Sequence, residues 1–300
     1  MILNRCIYKP IASSGWPEYE LIDSGNQQKL ERFGSKTLNR FEPDATWEPA
    51  LGDKSWNTAF NQYISNQSNK TGYWKDKDKT QVIWNIDLDN LTFVLKLSKS
   101  QHIGIFPEQV ENWRWLHNIV KNTKQPIHIL NLFAYTGVAS LYCSHSGGTV
   151  THVDASKTAI ELGKKSQSLS GLEQEPIRWI FDDVIKFVDR EIRRGNKYEG
   201  ILLDPPLFGR GPKGEIWKFE DAIDELLKKL NHLFSGRKSF FLITAYNIPI
   251  KEMILAKKAE KYFIKFNGTI EYGPLIQIEK SAGRHLKQSV YVRGYKNEYE

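Results

Sequence analysis

The chain has 300 residues, enough for a main domain and a second module, and 42 Lys and Arg against 35 Asp and Glu give it a net charge of +7. This basic balance favours a polyanionic partner such as a nucleic acid. Two cysteines are too few for a disulfide framework and, with no N-terminal signal, they predict a reduced, cytoplasmic setting. No apolar run approaches the 18 residues that would predict a membrane span.

Short alternating apolar runs characterise the first hundred residues. Residues 19–25, 80–86 and 91–97 have the two-residue period of β-strands, whereas the polar, tryptophan-bearing stretch 47–72 favours loops with room for one helix. We therefore predict a small β-rich domain over residues 1–101 and a main domain over residues 102–300. Whether the small domain contacts a substrate or only frames a pocket is left open by the sequence.

A nucleoside-binding βαβ unit is predicted at residues 127–154. A strand at 127–133 is followed by a turn containing Gly137, a helix, and a second strand that ends on Asp154. Such a turn brings backbone N–H groups to a ligand, and the acid can accept from two ribose hydroxyls. One glycine instead of three disfavours a pyrophosphate and favours S-adenosylmethionine; an ordinary crossover without a ligand is the alternative.

Acidic residues follow the next two predicted strands. The strand at 176–181 ends on Asp182 and Asp183, either of which could accept from an adenine amino group or cap the next helix. The strand at 198–203 ends on Asp204, followed by two prolines that fix an extended, rigid lip. Such a lip suits a planar base beside a reactive methyl group.

The segments 131–138, 152–156, 183–184 and 204–214 together resemble class I S-adenosylmethionine-dependent methyltransferases. Within that family, the chain is similar to the bacterial large-subunit ribosomal RNA methyltransferases that modify cytosine C5 or guanine N7. The resemblance covers residues 101–300. It implies a Rossmann-like α/β fold, in which predicted strands at 269–279 and 288–295 form the antiparallel hairpin closing a mostly parallel, seven-stranded sheet.

The resemblance also implies functional positions. Cofactor contacts are expected in the junction, the turn and the strand ends, at Phe106, Gln109, Asn131, Phe133, Ala134, Tyr135, Thr136, Gly137, Asp154, Ala155, Ser156, Asp182, Asp183, Val184 and Asp204. The target would be presented by Asp204, Pro205, Pro206 and Phe208. Basic residues expected to contact nucleic acid are Arg210, Lys213, Lys280, Arg284 and Lys287. A solvent-exposed charged face is the alternative for the last three.

One departure from the family concerns the chemistry. Methylation of cytosine C5 requires a cysteine thiolate, which in those relatives follows the fifth strand. Here residues 244–247 follow that strand without a cysteine, so we expect methylation of a base nitrogen, which needs no covalent step. A ring nitrogen and an exocyclic amine both stay open.

The predicted function is that of an S-adenosylmethionine-dependent methyltransferase acting on RNA, with ribosomal RNA as the first substrate. Two alternatives remain: methylation of a protein or small molecule, and a catalytically silent RNA-binding or scaffold protein. No metal site is expected, because the histidines and cysteines lack metal-ligand spacing. The oligomeric state is not predicted.

Overall fold

The computed structural model describes residues 6–66, 71–76, 82–123, 125–235, 239–248, 250–263, 266 and 268–296. Its first part contains strands and one short helix: β1 Cys6–Tyr8, β2 Ile11–Ala12, β3 Tyr19–Gly25, β4 Gln28–Phe33, β5 Lys36–Phe41, α1 Asp53–Trp56, β6 Asn61–Asn66, β7 Thr71–Asp76, β8 Ile83–Leu88 and β9 Leu91–Lys96. Residues 67–70 of the predicted loop region and residues 80 and 81 of a predicted strand lie outside the described residues.

The second part alternates strands with helices. After a 3₁₀ turn at Pro107–Gln109 come α2 Val110–Lys121, β10 His128–Leu132, α3 Val138–His145, β11 Thr149–Asp154, α4 Lys157–Leu169, β12 Ile177–Phe181, α5 Val184–Arg194, β13 Gly200–Leu203, β14 Phe208–Arg210, β15 Ile216–Lys218, α6 Phe219–Asn231, β16 Phe240–Ala245, α7 Glu252–Tyr262, β17 Thr269–Ile278 and β18 His285–Tyr295. Among the described residues, no helix combines the length and apolar character needed to cross a membrane.

The main sheet confirms the predicted fold class. Its strand order is β12-β11-β10-β13-β16-β18-β17-β1, with β2 also paired to β17, and β18 is antiparallel to both of its neighbours. The central strands β13 and β16 are buried along their whole length, as expected for a parallel sheet covered by helices on both faces. The order of strands reverses between β10 and β13, which is where ligands bind in such sheets.

Two additional strands widen this sheet beyond the predicted seven. β1 and β2 come from the first twelve residues and pair in parallel with β17. They cover an edge that would otherwise expose unpaired backbone groups. The start of the chain therefore lies in the same sheet as its end, a long-range pairing that three- and two-residue strands do not reveal in sequence. The domain division at residue 101 stays a prediction.

The N-terminal region contains more strand than the sequence predicts. A five-stranded sheet has the order β3-β4-β5-β6-β7, and a separate hairpin β8–β9 packs on α4, where Ser166 and Ser170 hydroxyls accept from the N–H groups of Val94 and Thr92 at 2.9 Å. The prediction of loops and a helix over 47–72 was wrong for β6 and β7. Their sequences are rich in polar residues and lack the apolar alternation that identifies a half-buried strand.

Candidate active site

A pocket opens at the carboxyl edge of the main sheet between β10 and β13. Residues 104–109 border one side, and the turn after β10 borders another. The predicted site residues that line this pocket are Phe106, Gln109, Asn131, Phe133, Ala134, Tyr135, Thr136, Gly137 and Asp204. The structure thus brings together residues separated by up to about a hundred positions in the chain, because β10 and β13 are parallel neighbours whose carboxyl ends meet at one sheet edge.

The turn after β10 has an unusual backbone. Phe133, Tyr135 and Gly137 have positive φ angles of 54°, 52° and 80°. Only glycine adopts this conformation without strain, so the two aromatic residues store conformational energy of the kind found at ligand sites. A Cβ on Gly137 would lie 3.0 Å from the rings of His152 and Trp179. Glycine is therefore required there both for the backbone angle and for space.

Asp154 connects the end of β11 to this turn. Its Oδ2 accepts from Tyr135 N–H and its Oδ1 from Ser156 N–H, each at 2.7 Å. Burial raises the pKa of Asp154, and the two N–H donors act against that shift. Each carboxylate oxygen retains acceptor capacity, because it has a second lone pair. Ser156 also caps α4 by accepting from Ala159 N–H, so Ala155 lies between two fixed neighbours.

The two acids after β12 have structural partners. Asp183 caps α5 by accepting from Lys186 N–H at 2.9 Å, while Asp182 accepts from Asp183 N–H and pairs with Arg190. Helix capping, the alternative raised by the sequence, is thus observed for Asp183. Neither acid lines the pocket, and Val184 is buried below them. Their roles in binding a cofactor stay predictions.

Asp204 is the most electrostatically perturbed group in the pocket. Its Oδ1 is buried and has no hydrogen-bond partner among the described residues. Burial raises the pKa of Asp204 to about 7. The negative charges of Glu108 and Asp154 contribute to this rise, whereas a hydrogen bond from the Thr244 hydroxyl opposes it. A carboxyl group with a pKa near neutrality and a free acceptor atom is suited to holding a donor of a ligand or exchanging a proton.

The segment after the two prolines forms a hairpin as well as the predicted lip. Strands β14 and β15 pair antiparallel, and Trp217 anchors them by donating to Pro206 O at 2.7 Å and packing against Phe133 at 4.7 Å. A Cβ on Gly211 would lie 3.0 Å from Asp183 Oδ2. The hairpin therefore extends from Asp204 to the end of β12. Its glycine- and proline-rich tip hides the pairing in sequence.

Aromatic rings close the opposite side of the pocket. Phe106 packs between Tyr135 and Tyr246, with ring centroids 5.8 and 5.1 Å apart. Gln109 donates to the Tyr246 hydroxyl at 3.0 Å. Sequence reasoning did not select Tyr246 or the buried Glu108 as site residues. The available signal for Tyr246 was its position directly after β16, at the same sheet edge as Asp154 and Asp204.

Neither cysteine reaches the pocket. Cys143 is fully buried in α3 against Ile129 and Val150, and burial raises the pKa of its thiol. Cys6 lies in β1, at the far edge of the sheet. The structure thus supplies no thiol nucleophile beside Asp204.

The predicted nucleic-acid residues fall into two groups. Lys280 forms an ion pair with Glu20, and Lys287 forms one with Glu252. Arg284 pairs with both Asp23 and Glu279. Arg210 and Lys213 lie on the exposed hairpin, where their side chains have no ion pair among the described residues. The hairpin residues are therefore the better placed of the two groups for a polyanion.

The pocket suits the cationic, phosphate-free cofactor implied by the sequence. The acids Asp154 and Glu108 lie close enough to Asp204 to raise its pKa, and a sulfonium or ammonium group beside the three acids would favour their charged forms. Within the described parts of the chain, no donor reaches the buried Oδ1 of Asp204, and Phe106 and Tyr246 provide aromatic surface. In the described residues, no group of three or more His, Cys, Asp or Glu could hold a metal ion.

Comparison with known proteins yields a match to a family model over residues 37–261; that family is described as S-adenosylmethionine-dependent methyltransferase. A solved structure of an S-adenosylmethionine-dependent methyltransferase from Agrobacterium tumefaciens is similar over 97% of this chain and 95% of that one, with 37% identity and a TM-score of 0.92.

Curated relatives match more locally. Ribosomal RNA large subunit methyltransferase I of Aeromonas salmonicida is 27% identical over 124 residues, which are 41% of this chain and 30% of that protein. Methyltransferase K/L of Shewanella frigidimarina, also named for the ribosomal RNA large subunit, is 31% identical over 145 residues, 48% of this chain and 20% of that protein. The matched regions are thus less than a third of either relative.

Proposed function

We propose that this chain, which belongs to the family of S-adenosylmethionine-dependent methyltransferases, methylates a base nitrogen of RNA. Ribosomal RNA is the first candidate substrate, since two of the similar curated proteins are named for it. Such a substrate would place the protein in the cytoplasm.

The cofactor supplies the methyl group, and the chain's residues would hold and orient it. Asp154 is proposed to accept from the ribose hydroxyls, and the turn from Phe133 to Gly137 to contact the methionine end. Asp183 keeps one oxygen, Oδ2, that does not cap α5, and this atom is the proposed acceptor for the adenine amino group. Phe106 and Gln109 would complete the aromatic side of the pocket.

The choice of nitrogen over carbon rests on the groups around Asp204. No thiol is available there to activate a pyrimidine carbon. A nitrogen lone pair can attack the methyl group directly, so the protein needs to position the base and exclude water. Asp204, ionised above about pH 7, can accept a hydrogen bond or a proton from an exocyclic amine. Pro205 and Pro206 hold the adjacent backbone rigid.

The observation that carries the RNA proposal is the outer face of the β14–β15 hairpin. Phe208 pairs with Lys218 and Arg210 with Ile216, so these four side chains share one face. Phe208 and Ile216 are 53% and 66% exposed and lie beside two cations, Arg210 and Lys218. Aromatic surface with interspersed positive charge is how proteins bind unpaired nucleotides, and this face adjoins the Asp204 lip.

The test compares the methylated nucleosides of ribosomal RNA, by mass spectrometry, from cells with and without the protein. Loss of one N-methylated base, restored by the wild-type gene and not by a Phe208→Ala variant, is expected. Loss of 5-methylcytosine instead would contradict the nitrogen mechanism. An unchanged nucleoside profile would contradict the ribosomal substrate and direct the assay to transfer RNA, proteins and small molecules. Failure of the purified protein to bind S-adenosylhomocysteine would favour the silent, scaffold alternative.

A further inference from the structure

A second cavity, of about 340 Å³, lies in the N-terminal region between the five-stranded sheet and the loop that carries α1. Its wall includes five neutral carboxamide side chains, one tryptophan and one lysine. These residues are Asn26, Gln28, Asn39, Asn57, Gln62, Trp56 and Lys75. The size is within the range of small-molecule sites.

The register of the sheet explains why the polar groups converge. Asn39 of β5 lies opposite Gln62 of β6, and Gln62 lies opposite Lys75 of β7. Directly opposite residues point to the same side of a sheet, so the three form a row across the cavity floor. Gln28 joins this row from β4, because its Oε1 accepts from Asn39 Nδ2 at 2.9 Å.

The opposite wall is held in place by a buried acid. Asp23 is fully buried and accepts from the N–H groups of Ala50 and Leu51 and from Trp56 Nε1. Burial alone would raise the pKa of Asp23, but these bonds and one from Ser281 hold it below its usual value. The Trp56 ring is therefore fixed at the cavity before any ligand arrives, which reduces the entropy cost of binding.

One polar atom in the cavity floor lacks a partner. Asn39 is only 5% exposed, and its Oδ1 makes no hydrogen bond among the described residues. Buried acceptors in native proteins are almost always paired, so this atom marks the place where a ligand donor would bind.

We propose that this cavity binds an unpaired nucleobase of the RNA substrate. Carboxamides present both donors and acceptors, which match the edge of a base, and Trp56 offers a surface for stacking. The wall carries a single acid, Asp53, and a single base, Lys75. These opposite charges balance, so the cavity favours a neutral base, with one phosphate of the RNA beside it. This inference rests on the proposed RNA methylation and concerns an anchoring nucleotide, distinct from the methylated one.

The separation of the two sites follows from strand alternation. Arg40, next to Asn39 in β5, points to the other face of the sheet, where it donates to Gln101 O in the segment leading to the active-site pocket. The cavity and the methyl-transfer pocket therefore lie on opposite sides of the N-terminal sheet. A base bound in the cavity would position the RNA without touching the reacting atoms.

The test uses the full chain with Asn39→Leu and Gln62→Ala, and Gln174→Ala as the exposed carboxamide control. We expect both cavity variants to raise the Kd and KM for the RNA substrate by roughly tenfold to a hundredfold. Their kcat at saturating RNA and their affinity for S-adenosylhomocysteine should equal those of the wild type. The control should change none of these values. A merely structural role would lower the melting temperature and kcat together.

Wild-type RNA affinity in both cavity variants, with weakened binding in Phe208→Ala, would overturn the anchoring site while leaving the proposed function intact. If the wild-type protein did not methylate RNA, the proposed function itself would fail. In that case titration with free nucleosides, followed through Trp56 fluorescence against a Trp56→Phe variant, tests the cavity alone. Binding of glucose and of no nucleoside in that titration would also overturn the assignment.

Discussion

At the scale of single residues, the site depends on acids whose surroundings differ. Asp154 is fixed by two backbone donors, whereas Asp204 has a buried oxygen that meets no partner among the residues the structure describes. The two donors orient the Asp154 carboxylate and oppose the rise that burial causes in its pKa, whereas burial raises the pKa of Asp204 to about 7. Two acids at the same sheet edge, at the ends of strands on either side of β10, can therefore serve different tasks, binding and proton exchange.

Replacement of Asp154 by alanine should weaken the binding of S-adenosylhomocysteine by roughly a hundredfold, because charged hydrogen bonds contribute about 1.5–3 kcal/mol each. Isothermal titration calorimetry measures the change. Asp221→Asn is the matched control, since that side chain is 73% exposed and lies away from the pocket. Equal affinities for the two variants would contradict the ribose role.

Replacement of Asp204 by asparagine should change how stability depends on pH. An unfolded aspartate ionises near pH 4, whereas the folded group ionises near pH 7. The raised pKa means that this group favours the folded state below about pH 4 and that the contribution is lost as pH rises to 7. Asparagine has no such loss.

The melting temperature of Asp204→Asn, relative to the wild type, should therefore be higher at pH 8 than at pH 4.5. Differential scanning calorimetry at the two pH values provides the comparison. A difference that does not vary with pH would show that Asp204 ionises normally in the folded protein.

At the scale of elements, the glycine turn and α4 are packed as one unit. A Cβ on Gly163 would lie 2.5 Å from Thr136 O and 2.6 Å from the Trp179 ring. The helix thus approaches the turn more closely than a residue with a Cβ atom at position 163 would permit. This contact fixes the turn from one side while Asp154 fixes it from the other.

Gly163→Ala should lower the melting temperature and weaken cofactor binding, although glycine to alanine within a helix ordinarily stabilises by about 1 kcal/mol. The added methyl group must displace a backbone oxygen or an indole ring. Lys165→Ala, an exposed change in the same helix, serves as the control and should be close to neutral. A stabilised Gly163→Ala variant with normal cofactor affinity would show that the turn adjusts freely.

At the scale of the whole molecule, Arg284 joins the N-terminal sheet to the β17–β18 hairpin. It pairs with Asp23 and Glu279, donates to the carbonyls of Glu48 and Ser24, and lies over the Trp47 ring. Both acids are fully buried, so loss of the guanidinium would leave two buried carboxylates without this counter-charge. This arrangement supports a docking role; RNA contact by Arg284 stays a prediction from its basic character.

Arg284→Gln should lower the free energy of unfolding by about 3 kcal/mol, the usual effect of breaking a largely buried ion pair. The salt dependence of RNA binding should not change.

In contrast, Arg210→Gln should leave stability unaltered and reduce the slope of log affinity against log salt by about one. Denaturant titration and RNA binding at several salt concentrations distinguish the two roles, and the reverse pattern would contradict this assignment.

The sequence by itself determined the seven predicted strands of the main sheet and the acids at their ends, although not the added strands β1 and β2. The apolar strands β10, β11, β13 and β16 are continuous in the chain, and each is followed directly by the residues it positions, so local patterns were sufficient. The same holds for Gly137 and for the absence of a cysteine after β16.

Only the tertiary structure decided which polar residues are paired. Glu31 and Arg40 lie nine positions apart on adjacent strands and form a buried ion pair. Because charged residues occupy these buried positions, β4 and β5 lack the apolar alternation that identifies a strand in sequence. The pairing of Arg284 with Asp23, the packing of Tyr246 on Phe106 and the amide row of the N-terminal sheet likewise join distant segments. Such contacts depend on chain topology, because hydrogen bonds and ion pairs over long separations leave no periodic trace in the sequence.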